Sequence, residues 1–204
     1  MVNNTTQITL RLALTTEIIS LAWMAGEFLL GVYAGLAAHS VLLIAFGLDS
    51  LLEIIAGGAL IWRLQKERHG ADEATIARAE ARSTKLVGAV LFLLAAYVTI
   101  ISIVNLVNHQ GADTSLLGII VAVVSVLFMP ILAVAKRRLG QSLHSAALIE
   151  DGMCNFTCAY MAGTVLLGAL ATTFLGWWWA DSVAALVLVY FIAREALEAF
   201  QDED

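Results

Sequence analysis

The sequence predicts an all-α, polytopic membrane protein, in which residues 1–204 form a single bundle of six transmembrane helices with both termini in the cytoplasm. Three observations predict this class: 60% of the 204 side chains are hydrophobic, only 14% are charged, and the mean hydropathy is +0.86. A soluble domain of this size could not cover so much apolar surface. Six spans of about 20 residues each use nearly the whole chain, so we expect no soluble domain.

Six apolar segments are each long enough to cross about 30 Å of hydrocarbon at about 1.5 Å per residue. A β-barrel is not predicted, because no strand-length segment alternates apolar and polar residues. The polar residues 1–7 lack the basic start of a cleaved secretory signal, so we expect the first helix to be retained. The predicted spans are Leu12–Tyr33, Ser40–Leu64, Leu86–Val107, Leu116–Ala135, Ser145–Leu170 and Ala180–Ala199.

The lysines and arginines predict which side of the membrane each connection faces. All 11 lie before the first span, between the second and third, between the fourth and fifth, or at the end of the sixth. The other connections, residues 34–39, 108–115 and 171–176, contain none. Because basic loops stay in the cytoplasm, we expect a multi-pass protein of the cell membrane with cytoplasmic termini. The long basic connection, residues 65–84, is predicted to be a solvated helical extension or loop, in which His69 is a surface residue.

Several other features have simple explanations. The net charge of −6 argues against a nucleic-acid partner, and the acidic residues 201–204 are interpreted as a solvated end. The tryptophans at 177–179 are predicted to anchor the chain at the outer interface. Small residues in the first two spans should permit close helix contact. These small residues are Gly26, Gly31, Gly35, Gly57 and Gly58.

The second span carries two carboxylates, Asp49 and Glu53, four residues apart. A charged aspartate inside a membrane costs about 2.5 to 3.5 kcal/mol on insertion scales, so its presence needs a reason. The spacing places both acids on one helix face, about 6 Å apart along the axis. Hydrogen bonding between helices is the simpler alternative, but it would not require two acids on one face.

The fifth span carries two thiols, Cys154 and Cys158, at the same four-residue spacing. They are too few and too close for a disulfide framework, and taken alone they could be small buried hydrophobes. Counting from Arg63 and from Gly140 places Asp49 level with Cys154 on antiparallel helices. Two facing pairs at one depth can supply four ligands to a single ion such as zinc. We therefore predict a metal site formed by Asp49, Glu53, Cys154 and Cys158.

Five further polar residues lie near this site in the sequence. Glu150 is one turn before Cys154 on the same stripe, whereas Asp151 and Asn155 lie off it. These three are predicted to line the access path or to hold the ligands in place. Glu27 and Glu17 in the first span could line the path or relay protons, and Glu17 could equally reach the cytoplasmic interface.

Two segments resemble the cation diffusion facilitator family of metal transporters. Residues 40–53 are similar to its second helix, where small and apolar residues lead to an acid or histidine, a small residue, two apolar residues and another acid. Residues 145–158 are similar to its fifth helix, which begins Ser-x-Ala-Leu and has metal ligands at its tenth and fourteenth positions. Cys154 and Cys158 occupy those positions, where histidine or aspartate is usual. The metal preference implied by the resemblance is therefore open.

The resemblance extends over most of the chain. Glu27 matches an acid that is frequent in the family's first helix, and Trp179–Asp181 is similar to its motif before the sixth helix. Residues 45–64 and 145–152 look closest to a small zinc-binding branch found in vesicle membranes. The sequence ends soon after the sixth span, so we expect a short form without the cytosolic domain through which many members dimerise. A homodimer is implied by the resemblance alone.

Together these patterns predict secondary active export of a divalent transition metal from the cytoplasm in exchange for protons, with no enzymatic activity and no resident cofactor. Thiolate ligands favour zinc or cadmium, and leave ferrous iron, copper and mercury open. The alternative from a different class is a membrane metal sensor or adaptor that binds the ion without moving it. A dithiol redox enzyme is disfavoured, because the two cysteines are not spaced as Cys-x-x-Cys.

Overall fold

A computed structural model describes residues 4–68, 73–143 and 145–201. His69 and the acidic residues 202–204, for which the sequence predicted a solvated surface, lie outside these ranges. The described residues form six helices and contain no strand. The helices are α1 (Asn4–Ala37), α2 (Val41–Arg68), α3 (Glu73–Val107), α4 (Leu116–Leu143), α5 (Ala146–Leu175) and α6 (Ala180–Gln201).

The all-α membrane class is confirmed. By length and composition, α1 to α5 each contain a segment that is apolar enough to cross a bilayer. The sixth helix is shorter, at 22 residues, with Asp181 at its start and Arg194 near its end. Many large apolar side chains point outward from the bundle, such as Leu29, Leu93 and Leu167, each more than 60% exposed. Such a surface is suited to lipid rather than water.

The helices are longer than the predicted spans, chiefly at the end of the bundle that carries the basic residues. Residues 65–68 continue α2 and residues 73–84 begin α3, so the described part of this connection is helical. Lys136, Arg137 and Arg138 were expected between two helices, but they lie inside α4. The prediction ended the span where the charges begin. Lysine and arginine are good helix formers, however, so the helix itself continues.

The second helix is central to the bundle, since it contacts α1, α3, α5 and α6. Four further pairs pack against one another: α4 with α5, α3 with α6, α1 with α4, and α5 with α6. A buried apolar core surrounds α2 and is formed by side chains from these helices. Its members include Leu42, Ala45, Phe46, Val98, Val165, Leu188 and Ile192.

Glycines set the close approach of α1 and α2. A side chain at Gly47 would meet the backbone nitrogen of Val32 at 2.7 Å, and one at Gly31 would meet Gly47 at 3.2 Å. The prediction of close contact is confirmed for Gly31, Gly35 and Gly57, which all face nearby atoms, and is wrong for Gly26 and Gly58, which face open space. The register between these helices therefore depends on a few positions with no Cβ atom.

At the opposite end of the bundle from the basic residues, Asp181 of α6 ties down the start of α2. Its carboxylate accepts hydrogen bonds from the Ser40 hydroxyl and, at 3.4 Å, from the Leu42 backbone N–H. Nearby, the Trp178 ring stacks on His109 with centroids 4.7 Å apart. The first turn of a helix leaves backbone N–H groups without helical partners. Asp181 satisfies one of them from a neighbouring helix.

Candidate metal site

The two predicted acids lie on α2 at different depths of burial. Asp49 is 2% exposed and Glu53, one turn later, is half-buried. The helix forms here from a nearly continuous apolar sequence, which places residues four apart on one face. That face turns toward α5, because Glu53 meets a thiol of α5.

Glu53 and Cys158 form a polar contact between α2 and α5. The Cys158 thiol donates a hydrogen bond to Glu53 Oε1, and its sulfur also lies 3.0 Å from the Cys154 carbonyl oxygen one turn earlier. Cys158 is buried, whereas Cys154 is exposed, and neither forms a disulfide. A thiol touching a carboxyl group gives one soft and one hard donor atom that a borderline divalent ion can share.

The register of α2 and α5 differs from the sequence-based count, which placed Asp49 level with Cys154. Since Glu53 meets Cys158 and the helices run in opposite directions, Cys154 lies closer in depth to Gly57. The error comes from counting α5 from Gly140. That residue still belongs to α4, and α5 begins only after Ser145, whose hydroxyl accepts a hydrogen bond from the Leu148 N–H. When α5 is counted from its actual start at Ala146, Cys158 lies at nearly the same depth as Glu53 of α2.

The structure thus brings two of the four predicted ligands into direct contact. Within residues 4–68, 73–143 and 145–201, no three side chains of His, Cys, Asp or Glu cluster closely enough to hold one ion. The set of Asp49, Glu53, Cys154 and Cys158 as a single metal site therefore stays a prediction. The side chain of Glu150 lies outside what the structure describes.

Glu27 of α1 lies beside the acid-bearing face of α2. It is 1% exposed and accepts hydrogen bonds from Ser125 of α4 and, at 3.4 Å, from Ser50 of α2. Ser50 directly follows Asp49 in the chain. Because Glu27 bridges three helices next to a predicted ligand, it is placed to hold that part of α2 in position.

A second polar group lies toward the basic end of the bundle. The Lys136 ammonium of α4 is 3.0 Å from Glu17 of α1 and 2.5 Å from Asp151 of α5. It also donates to Asn155 at 3.2 Å, and Asn155 in turn donates to Ser20 at 3.4 Å. Asp151 and Asn155 were predicted to support the site. In the structure both side chains contact Lys136, close to Cys154 on the same helix.

Sequence reasoning missed Lys136, which it assigned to a basic connection in contact with the cytoplasm. The side chain is completely buried. The periodicity of α4 could have revealed it, because Lys136 continues a stripe of buried residues at helical spacing. This stripe consists of Gly118, Ala122, Ser125, Met129, Ala133, Lys136 and Gly140.

The sequence model of the cation efflux transmembrane domain matches residues 18–203. The chain belongs to the cation efflux family. This is a family of membrane transporters rather than of enzymes, so the predictions of family, of helix bundle and of a multi-pass protein of the cell membrane are confirmed.

Individual relatives share only about a quarter of the aligned residues with this chain. The chain is 26% identical to the cation-efflux pump FieF of Shewanella oneidensis over 182 residues, which cover 87% of this chain and 57% of that one. It is 26% identical to FieF of Salmonella typhi over 92% of this chain and 63% of the relative. The magnetosome protein MamB of Paramagnetospirillum magneticum is 25% identical over 80% of this chain and 56% of its own length. In each case the match covers less than two thirds of the relative.

Proposed function

We propose that this chain forms the membrane pathway of a secondary active exporter that carries zinc-like divalent metal ions out of the cytoplasm in exchange for protons. Membership of the cation efflux family supports movement of a cation across the membrane. The names of the two FieF relatives describe them as cation-efflux pumps. The choice of metal and the exchange for protons rest on the chemistry of this chain's own side chains.

The observation that carries the proposal is the contact between Glu53 and Cys158. It joins α2 to α5 within the segment of each helix that is long and apolar enough to cross a membrane. Asp49 adds a second carboxyl group one turn along α2, and Cys154 adds a second thiol one turn along α5. In the observed register Asp49 and Cys154 lie on opposite sides of this contact, so gathering all four donors around one ion requires α5 to shift along α2 by about one helical turn, ~6 Å.

Exchange for protons follows from the nature of the donors. Thiolates and carboxylates bind a metal only when deprotonated, so metal and protons compete for the same atoms. A bundle that exposes the site to one side and then to the other converts this competition into counter-transport. The metal leaves on the outer side as protons replace it, and those protons are carried inward.

The preferred metals follow from the sulfur atoms. Thiolate ligands select soft or borderline ions, which places zinc and cadmium ahead of manganese and magnesium. Zinc is the first candidate, because it binds both thiolate sulfur and carboxylate oxygen and accepts four donors in a tetrahedral arrangement. Cadmium should be accepted as well, since it binds thiolate more strongly than carboxylate.

Transport by purified protein in liposomes tests the proposal. Zinc or cadmium should accumulate when protons move in the opposite direction, read by a metal indicator and a pH indicator. Glu53→Gln and Cys158→Ser should each lower the initial rate at least about tenfold, as expected when a buried site loses a ligand. Asp113→Asn is the matched control, because Asp113 is exposed in the connection between α3 and α4.

Three outcomes would contradict the proposal. One is that none of these metals moves, and another is that both site variants transport at the wild-type rate. The third is that metal binds tightly without accumulating and without any movement of protons, which would instead favour a membrane metal sensor or adaptor.

A further inference from the structure

The buried group around Lys136 has the composition of an occupied cation site. The ammonium lies within 3.2 Å of three oxygen atoms, which come from Glu17, Asp151 and Asn155. These residues belong to α1 and α5, while Lys136 itself extends from α4. The lysine side chain is 0% exposed, so bulk water does not reach it. Two carboxylates and an amide oxygen form a donor set that small metal cations also accept.

The group holds one carboxyl more than its single ammonium can neutralise. Glu17 is 4% exposed, and its Oε1 atom accepts no hydrogen bond from any described residue. A buried carboxylate oxygen without a hydrogen bond is costly, unless the group carries a proton or faces a further positive charge. Gly57 of α2 leaves the room that this oxygen occupies, because a Cβ atom there would come within 3.1 Å of it. A divalent cation would balance the two carboxylates, which one lysine does not.

The location of this group also indicates a role in the pathway. Gly57 lies one turn from Glu53 toward the basic end of α2, and Asp151 lies nearly two turns from Cys158 toward the same end of α5. At about 1.5 Å per residue, the group is roughly 5 to 10 Å nearer that end than the Glu53–Cys158 contact. Asp151 retains 17% side-chain exposure, so the group is not fully sealed.

We propose that Glu17, Asp151 and Asn155 form a second cation-binding site on the cytoplasmic side of the Glu53–Cys158 contact, with the Lys136 ammonium as its tethered occupant. A divalent metal ion arriving from the cytoplasm displaces the ammonium and binds the two carboxylates. The displaced lysine swings on its flexible stem toward the nearby membrane surface. When the ion moves on to the thiol-containing site, the ammonium returns and blocks backflow.

The direction of this movement rests on the proposed export function, whereas the binding itself does not. The site contains only oxygen donors, so it should bind metals less selectively than the thiols do. It would therefore admit divalent ions in general and leave discrimination to Glu53 and Cys158. Displacement also requires a charge of +2, which distinguishes a divalent ion from the monovalent ions that outnumber it.

Equilibrium binding of Zn²⁺ to detergent-purified protein tests this proposal. The background carries Glu53→Gln and Cys158→Ser, which removes the contacting pair of the proposed transport site. In that background, adding Lys136→Met should create a site for one Zn²⁺ ion per chain, or tighten binding at least about tenfold, equivalent to about 1.4 kcal/mol. Adding Glu17→Gln and Asp151→Asn to the same protein should abolish the gain. No gain in properly folded Lys136→Met protein would overturn the proposal.

A second measurement keeps Lys136 in place and so avoids any variant that unfolds. In the same background, Zn²⁺ should increase acylation of Lys136 by a membrane-permeant amine reagent about tenfold, as read by mass spectrometry, because the ion releases the ammonium. The other two lysines of the sequence, Lys66 and Lys85, are the internal controls. Labelling of Lys136 that does not respond to Zn²⁺ would show a purely structural ion pair. Because neither assay uses a gradient or the pair Glu53 and Cys158, a failure of the export proposal would leave both results unchanged.

Discussion

At the scale of single residues, the bundle concentrates its polar chemistry on a few buried side chains. Glu53 and Cys158 meet directly, Glu27 is satisfied by two serines, and Lys136 is held by two acids. Each of these groups is costly to place among apolar helices unless it is paired. Pairing across different helices therefore fixes where the helices touch, and it supplies the donor atoms of both proposed cation sites.

The thiol of Cys158 should determine the choice of metal. Replacing it by a carboxylate in Cys158→Asp keeps a negative donor at the same place but removes the sulfur. We expect the ratio of cadmium to manganese transport to fall about tenfold, since softer metals gain most from thiolate, and about 1.4 kcal/mol corresponds to that factor. Initial rates for both metals in liposomes measure the ratio. Cys158→Ser, which removes the thiol without adding charge, is the control for simple loss of a ligand. An unchanged ratio in Cys158→Asp would show that the sulfur does not contact the transported ion.

At the scale of elements, α1 and α2 behave as a closely packed pair. Gly31 and Gly47 let the two backbones approach, and Glu27 reaches across to Ser50 at 3.4 Å. Glycine is poor in a helix interior on conformational grounds, so a glycine at such a contact is explained by space rather than by propensity. The pair carries Asp49 and Glu53 of the proposed transport site and Glu17 of the second proposed site.

A methyl group at this contact should loosen the pair. We expect Gly47→Ala to destabilise the folded protein by about 1 to 3 kcal/mol, because the new Cβ would lie 2.7 Å from the Val32 backbone nitrogen. Gly58→Ala is the matched control on the same helix, where nothing lies within 4 Å. It should be neutral or slightly stabilising, since alanine is the better helix former by up to about 1 kcal/mol. Thermal unfolding midpoints in detergent measure both, and equal midpoints would show that α1 and α2 pack differently.

At the scale of the whole molecule, the two ends of the bundle differ in chemistry. One end carries the basic residues of α4 together with the buried Lys136 group. The other end is closed by the Asp181 bonds to α2 and by the stacked rings of Trp178 and His109. Transport outward requires that metal enters at the basic end. The orientation of the bundle is therefore part of the functional proposal.

Labelling of single cysteines tests this orientation. In a background of Cys154→Ser and Cys158→Ser, Gln110→Cys in the connection between α3 and α4 should react with an impermeant maleimide on intact cells. Gln141→Cys, near the end of α4, should react only after the cells are made permeable, because basic segments remain in the cytoplasm. Both native glutamines are exposed, so neighbouring residues do not shield either position from the reagent. The reverse pattern would place the basic end outside and would reverse the proposed direction of transport.

The sequence by itself determined the properties that depend on local composition. Long apolar segments predicted the helices, because a span must satisfy its own backbone in lipid. The unusual acids of α2 and thiols of α5 predicted a metal site, which stays a prediction. These inferences need no knowledge of which helices are neighbours. The family resemblance rests on the same local patterns, and the match over residues 18–203 confirms it.

Only the tertiary structure decided the register and the partners. It brought Glu53 level with Cys158, instead of Asp49 level with Cys154, and it placed Lys136 of a basic sequence in the interior, where it meets Glu17 and Asp151. Both results depend on where the chain turns between α4 and α5 and on how closely glycines let helices approach. Register is a property of two segments at once, so the sequence of either one cannot fix it. The burial of a lysine likewise depends on acids that are distant along the chain.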